Sequence, residues 1–353
     1  MSYKCEILAD SLSAQGHRLT TFKVTYPRII HAELMTHRLF SRNAASSRAI
    51  PVRKMIESIR NNMFTHLAIQ KAHKGMQGSD YFEGVELEQA KQLWIESAEL
   101  AIQQAEKMEK FGISKQIVNR VVEPYQYYQV LVTATEWDNF FELRCPKYEI
   151  YAGPEDIPEY FCSGRSWKEF MKSNNGLAGD FNTENIVERL QYSKSGAEIH
   201  MQALAEAMWD AYNESIPNQL KAGEWHLPFS DKINDGELTQ VISPNKALIY
   251  SNISLQELRL KVCVSRCARI SYQTLGDNPK IDYEADIKLH DRLLESKHAS
   301  PFEHCARAMS EEEYESFYKG EGANKGHTGI DENKGWCNNY RGFINYRYIL
   351  ENQ

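Results

Sequence analysis

THRLFSRNAASSR, residues 36–48, sets three guanidiniums (Arg38, Arg42, Arg48) and three hydroxyls (Ser41, Ser46, Ser47) among His37 and Asn43 within twelve positions. Arginine forks match phosphate oxygens two bonds at a time, and hydroxyls with turn amides fill the remaining acceptors. The same composition also suits a solvated basic loop with capping side chains, so the residues alone leave both readings open. Upstream, YKCEILADS and Arg18–Pro27 (RLTTFKVTYP) mix β-branched and aromatic residues around a glycine-containing break, which predicts two paired strands. Pro27 then suits a helix start, with Ile29, Ile30, Ala32, Leu34 and Met35 at near-helical spacing through RIIHAELMTHRLF. The small, polar SRNAASSRAIP that follows, ending at Pro51, predicts a structured loop.

Farther along, residues 87–111 form an amphipathic run of strong helix formers that Gly112 is placed to stop. Residues 114–145 read as a second helical stretch broken near Pro124. Residues 146–185, rich in Gly, Pro, Asn and aromatics, read as an irregular insertion, and AEIHMQALAEAMWDAY resumes a helix. A Gly/Pro-punctuated connection over 214–238 divides the chain into halves, 1–225 and 240–353, expected to form one intertwined catalytic domain. The second half opens with helices at SLQELRLKVCVSRCARISY and ADIKLHDRLLESKH. Residues 310–335, charged and glycine-rich, read as a mobile loop before GWCNNYRGFINYRYILE.

The 353 residues are 42% hydrophobic and 25% charged, an ordinary globular balance. A net charge of -7 gives no global reason to expect a nucleic-acid or anionic membrane partner, so an anionic ligand must be held locally. The seven scattered cysteines include no CxxC pair and read as reduced thiols. Cys263 and Cys267 with His298 and His304 admit a metal reading, but structural zinc sites usually show tighter cysteine pairs, and no metal is expected. No apolar run reaches the roughly 18 residues of a membrane span, and the opening residues lack a basic, apolar leader. A cytoplasmic protein is expected.

Four stretches together carry a family resemblance. THRLFSRNAASSR resembles the signature of the flavin-dependent thymidylate synthases, Arg-His-Arg, seven residues, Ser, and Arg two further on, with His37, Arg38, Ser46 and Arg48 in register. Thr36 stands for the first arginine, and Ala44 for an internal glutamate. NRVVEPYQYY is similar to a nucleotide-binding stretch and puts Arg120 at its arginine. TATEWDNFFELR is similar to a third block, with Asn139 at a flavin-contacting asparagine and Arg144 at the arginine that polarises uracil, but Thr133 and Thr135 replace an asparagine and an arginine. CARISY and LHDRLLESKHASPFEH resemble blocks that in the family come before the arginine signature; here they follow it by more than two hundred residues. The resemblance therefore implies a permuted chain that rebuilds one site from exchanged halves, tolerable where chain ends lie together at the surface.

What the resemblance implies is an α+β fold with a twisted antiparallel sheet flanked by long helices, in a homo-oligomer, a tetramer. Arg144 and His298 would be catalytic, and Ser46, Arg48, Arg120 and Arg144 would bind dUMP. His37, Arg38, Asn139, Ser271, Ser300 and Glu303 would hold FAD and folate, and Asn345 or Arg347 would stand in for site interactions that the rearranged order removes. The expected reaction moves a one-carbon unit from methylenetetrahydrofolate to C5 of dUMP with NADPH as reductant, giving dTMP. Glu33, where the family has a glutamine, and Thr36, Thr133 and Thr135 leave room for a hydroxymethyl product or another base. A non-catalytic nucleotide binder or a nucleic-acid binder is the rival of another class; flavin-side residues and an acidic chain speak against both.

Overall fold

The computed structural model describes residues 3–75, 78, 80–151, 158–173, 185–191, 193–241, 253–272, 282–318 and 333–352. Its strands include β1 (Lys4–Leu12), β2 (Arg18–Pro27), β3 (Ser41–Ala44), β4 (Tyr127–Ala134), β5 (Tyr148–Tyr151), β6 (Pro158–Phe161), β7 (Asn218–Gln219), β8 (Trp225–His226) and β9 (Ala306–Ala308). Its helices include α1 (His31–Leu34), α2 (Val52–Asn61), α3 (Gly84–Phe111), α4 (Lys115–Val122), α5 (Asp138–Arg144), α6 (Gly164–Ser173), α7 (Ile186–Gln191), α8 (Ile199–Glu214), α9 (Asp235–Gln240), α10 (Leu255–Arg269) and α11 (Tyr283–Glu295).

The arrangement is α+β. The main sheet runs β3-β4-β2-β1-β7, antiparallel except for the short parallel pairing of β7 with β1. Both of its faces are covered. Phe22, Val24 and Tyr26 of β2, with Val130 and Val132 of β4, pack against Ile102 and Ala105 of α3, Val118 and Val122 of α4, and Met201, Leu204 and Met208 of α8. The alternate residues of β4 face the other way, where Leu131 meets Phe229 of the connection and Cys267 and Ile270 of the second half. Period-two alternation thus sends the two sides of one strand to opposite halves of the chain. A smaller sheet pairs β9 with β8 and with Phe343–Asn345, joining residues on either side of the 226–305 stretch.

Both predicted amino-terminal strands form, in antiparallel register with a shift at Leu8. The long helix ends where Gly112 takes the left-handed φ of 93°, its N–H donating to Glu109 O and that of Ile113 to Met108 O. Five expectations change. The helix after Pro27 is a 3₁₀ turn and the four-residue α1, because the chain must turn before Phe40 to enter the sheet. The expected loop at 41–51 contains β3. The expected helix over 127–134 is β4, a central strand paired on both sides, where YYQVLVTA favours a pleated surface once neighbours exist. Residues 146–185 include the β5–β6 hairpin and α6, with 152–157 and 174–184 outside the described residues. Within 310–335, Glu311–Ser316 is a helix with a Ser310/Glu313 capping box, and 319–332 lie outside the described residues.

Candidate active site

The signature stretch is held from three directions. Residues 41, 42, 43 and 44 of β3 pair with 133, 132, 131 and 130 of β4, so Ser41 and Asn43 share the face of Thr133 and Leu131. On that face Asn43 Nδ2 donates to Cys267 O (2.6 Å), while its Oδ1 accepts from Ser271 Oγ (3.2 Å). Ser46 N donates to Ser271 O (2.9 Å), and Ser300 Oγ donates to Arg42 O (2.9 Å). From the other half, Asn119 of α4, buried, donates from Nδ2 to Ser47 O (2.7 Å) and Ile50 O (2.8 Å), and Lys115 Nζ reaches Ala49 O (2.9 Å). Ser46, Ser271 and Ser300, which belong to blocks far apart in sequence, therefore meet at one strand.

The arginines of the stretch divide into two kinds. Arg42 is half-buried and spends Nη1 on Leu34 O and His37 O (3.3 Å each), its guanidinium pulled below the usual arginine range by burial. Arg38 and Arg48 are exposed and make no hydrogen bond or ion pair with described residues. Arg120, also exposed, stands 3.9 Å from Glu123, as does Arg28, which lies over the Tyr128 ring.

Arg144 closes α5 and reaches back to the turn around α1. Its Nε donates to His37 Nε2 (3.2 Å), Nη1 to Glu33 Oε2 (3.4 Å) and Nη2 to Thr36 Oγ1 (3.2 Å). His37 stacks on Phe40 (5.5 Å) and meets Phe140 edge to face (5.0 Å). Burial, then Arg144 and Arg42, push this imidazole down to about 4, so it is neutral at pH 7; because Nε2 accepts, the ring proton sits on Nδ1. Glu33 is raised by burial against the pull of Arg144. The guanidinium is thus fixed by three partners while a fifth of the side chain stays exposed.

The Ser300–His304 turn of the second half brings two further groups. Glu303 Oε1 accepts from Arg347 Nη1 (2.7 Å), and Asn345 caps the last helix by accepting from Tyr348 N. His304 Nδ1 lies 2.7 Å from Thr133 Oγ1, which is 2.8 Å from Thr21 Oγ1, itself 2.8 Å from His226 Nε2; His226 Nδ1 then meets Ser11 Oγ at 2.9 Å. Burial pushes both imidazoles down to about 3. Thr133, which replaces the family's asparagine, is therefore an interior link, and Thr135 Oγ1 accepts from Arg341 N (3.1 Å). His298 and Asn139 are exposed, and neither makes a hydrogen bond or ion pair with the described residues of the Arg144 cluster. Among described residues no group of His, Cys, Asp or Glu is arranged to hold a metal, and all seven cysteines are free thiols.

Two residues that the resemblance assigns to a flavin sit on segments that meet here. Arg38 follows His37 and Asn139 precedes Phe140, so the two segments carrying them are joined at the His37–Phe140 ring contact, and both side chains remain unpartnered among described residues. Sequence reasoning missed Asn119, whose neighbour Arg120 drew attention instead; a lone asparagine on a predicted helix gives no signal of the carbonyls it will meet. It also missed the Glu33–Arg144 pair.

No family model matches the chain, and neither does any curated protein. Among solved structures, a UMP/dUMP methylase PolB from Streptomyces cacaoi bound with 5-Br UMP aligns at 15% identity and a TM-score of 0.38, over 61% of this chain and 90% of that one. The same methylase bound with 5-Br dUMP aligns at 15% identity and a TM-score of 0.33, over 56% and 68%. Scores of that size carry no functional weight.

Proposed function

We propose that the protein is a flavin-dependent enzyme that transfers a one-carbon unit from methylenetetrahydrofolate to C5 of dUMP, using a reduced nicotinamide nucleotide and yielding dTMP. The observation that carries this reading is the junction of the four resembling blocks: Ser46 with Ser271, Arg42 with Ser300, Ser47 with Asn119, and His37 with Arg144. Arg38 and Asn139, the chain neighbours of His37 and Phe140, with Ser271, Ser300 and Glu303, would hold the flavin and folate, and a bound flavin would supply the hydride chemistry.

Uracil C5 becomes nucleophilic only when negative charge can build on the ring, and Arg144 is the group to stabilise that charge at a carbonyl or N3 edge. Its contacts with Glu33, Thr36 and His37 hold the guanidinium in place before substrate arrives, so little reorganisation is needed at reaction. Arg48 and Ser46 would hold the phosphate, with Arg120 nearby on the helix that braces their loop. His298 is kept as a catalytic candidate on the resemblance alone. A homo-oligomer belongs to the same reading, and α3 offers it a seam: Leu93, Leu100 and Phe111 share one helical face and are 68%, 66% and 86% exposed.

One observation favours a second reading. Glu33 places a carboxylate beside Arg144, and a carboxylate accepts from an exocyclic amine such as that of cytosine, which uracil lacks. The deciding experiment records the visible spectrum of the purified protein, then supplies methylenetetrahydrofolate and NADPH with dUMP or dCMP and weighs the products. Flavin bands with dTMP support the first reading; a 5-modified dCMP or hydroxymethyl-dUMP replaces it. A colourless protein that takes up no flavin overturns both.

A further inference from the structure

Cys145 and Cys162 flank the β5–β6 hairpin. Cys145 ends α5 one residue beyond Arg144, its N–H donating to Phe141 O (3.0 Å). The antiparallel register pairs Tyr148 with Phe161, so the residues next outward, Lys147 and Cys162, leave the hairpin at the same end, and Cys145 lies two positions before Lys147. Both cysteines pack in the same core cluster, and their thiols hydrogen-bond to one another. A second hydrogen-bonded pair, Cys267 with Cys305, differs in access: both are 0% exposed, so no reagent reaches either sulfur in the folded chain.

The two sulfurs of the hairpin pair are not equivalent. Cys145 is buried, and burial, then its hydrogen bond to Cys162 and the nearby Glu206 and Asp210, push its thiol far up, so it keeps its proton. Cys162 is half-buried; the hydrogen bond from Cys145 draws its thiol down against the effect of burial, and Lys147 adds to the pull. Cys162 also stands immediately before the ten-residue α6, whose first turn is capped by Ser163 Oγ accepting from Ser166 N (3.1 Å), and the start of a helix favours a negative sulfur. A reachable sulfur that gives up its proton, beside a buried one that holds its own, is what thiol–disulfide exchange requires: one attacks and the other resolves. Burial pushes the thiols of Cys5, Cys263 and Cys337 up, away from such reactivity.

We propose that Cys145 and Cys162 are a redox-modification site, which a small disulfide of the class of oxidised glutathione converts to an intramolecular disulfide. The Cys162 sulfur attacks one sulfur of the reagent, forming a mixed disulfide and expelling one thiolate; Cys145 then attacks the Cys162 sulfur, closes the protein disulfide and expels the second. The two protein thiols are oxidised, the reagent is reduced to two thiols, and the two protons leave with them. The new bond ties the end of α5 to the start of α6. No step uses a nucleotide, a flavin or Arg144, so the site stands apart from the reaction proposed above.

The test incubates the full-length, fully reduced protein with excess oxidised glutathione under native conditions, weighs it intact, then alkylates the remaining thiols with N-ethylmaleimide and maps the digest by mass. The intact mass should fall by two hydrogens, two of the seven thiols should escape alkylation, and one peptide pair should be joined through Cys145 and Cys162, all reversed by dithiothreitol. In Cys145→Ala the reaction should stop at a glutathione adduct on Cys162, and in Cys162→Ala no adduct should form on Cys145. A wild-type chain that keeps all seven thiols, holds a lasting glutathione adduct on Cys162, or joins Cys267 to Cys305 instead would overturn the proposal. Those outcomes are read on the unaltered protein, so they do not depend on how a variant folds. Because dTMP formation is assayed separately, failure here and failure of the proposed reaction are told apart.

Discussion

Glu33 and Arg144 face one another at 3.4 Å, yet burial raises the carboxyl while the guanidinium draws it down. Removing the cation leaves the carboxyl with burial alone, so Arg144→Ala loses the charge stabiliser and also drives Glu33 toward its protonated form. Turnover should fall by about 10²–10³, with flavin content little changed, and full activity in this variant would sink the assigned role. Arg48 is a different case, exposed and without a partner among described residues. Arg48→Ala should leave the melting temperature unchanged and weaken dUMP binding by about 10–100-fold, the worth of a charge-assisted hydrogen bond. Equilibrium dialysis measures the binding, and unchanged affinity removes Arg48 from the phosphate site. Arg38, Arg42 and Arg48 look equivalent in sequence. Only the fold separates them, because Arg42 lies on β3 with its fork spent on the backbone carbonyls of the preceding turn.

At the scale of elements, the signature stretch depends on α4. Asn119→Leu would orphan Ser47 O and Ile50 O in the interior, costing about 2–4 kcal/mol of stability, and should raise the Kd for dUMP by loosening the loop. Chemical denaturation checks the first effect and binding the second; a stable variant with unchanged affinity would show that the brace is dispensable. The long helices were legible because their apolar spacing is local, as is the stop that Gly112 sets after α3. β4 was not. Its residues 127–134 are framed by helical neighbours on both sides, and what makes them a strand is pairing with β2 and β3, one of them about a hundred residues earlier. The blocks of the site could be picked out one by one, whereas their mutual contacts, such as Asn43 with Cys267 across 224 positions, carry no local trace.

For the whole molecule, buried neutral imidazoles set the acid limit. His31 and His37 are pushed down to about 4, and His200, His226 and His304 to about 3, mainly by burial. Above the unfolded value near 6.5 neither state binds these protons, and no stability is lost. As pH falls below it the unfolded chain takes up protons that the folded chain refuses, so stability drops from about pH 6.5 down to about 3–4. Each unit of separation is worth about 1.4 kcal/mol per histidine, and several acting together rival the total stability of a domain. Melting temperature should therefore be flat from pH 8 to 7 and decline steeply toward pH 5; a flat profile to pH 5 would mean these rings are not held neutral.

The hydrogen bond from Ser46 to Ser271 also has a meaning in time. A chain emerging from a ribosome at about 5–20 residues per second has its arginine-rich stretch exposed for about 11–45 s before residue 271 exists to meet it. Throughout that interval the nascent protein carries the stretch proposed to hold phosphate without the Ser271 and Ser300 segments that pack on it. The last quarter of translation, rather than the first, is when the proposed site is completed.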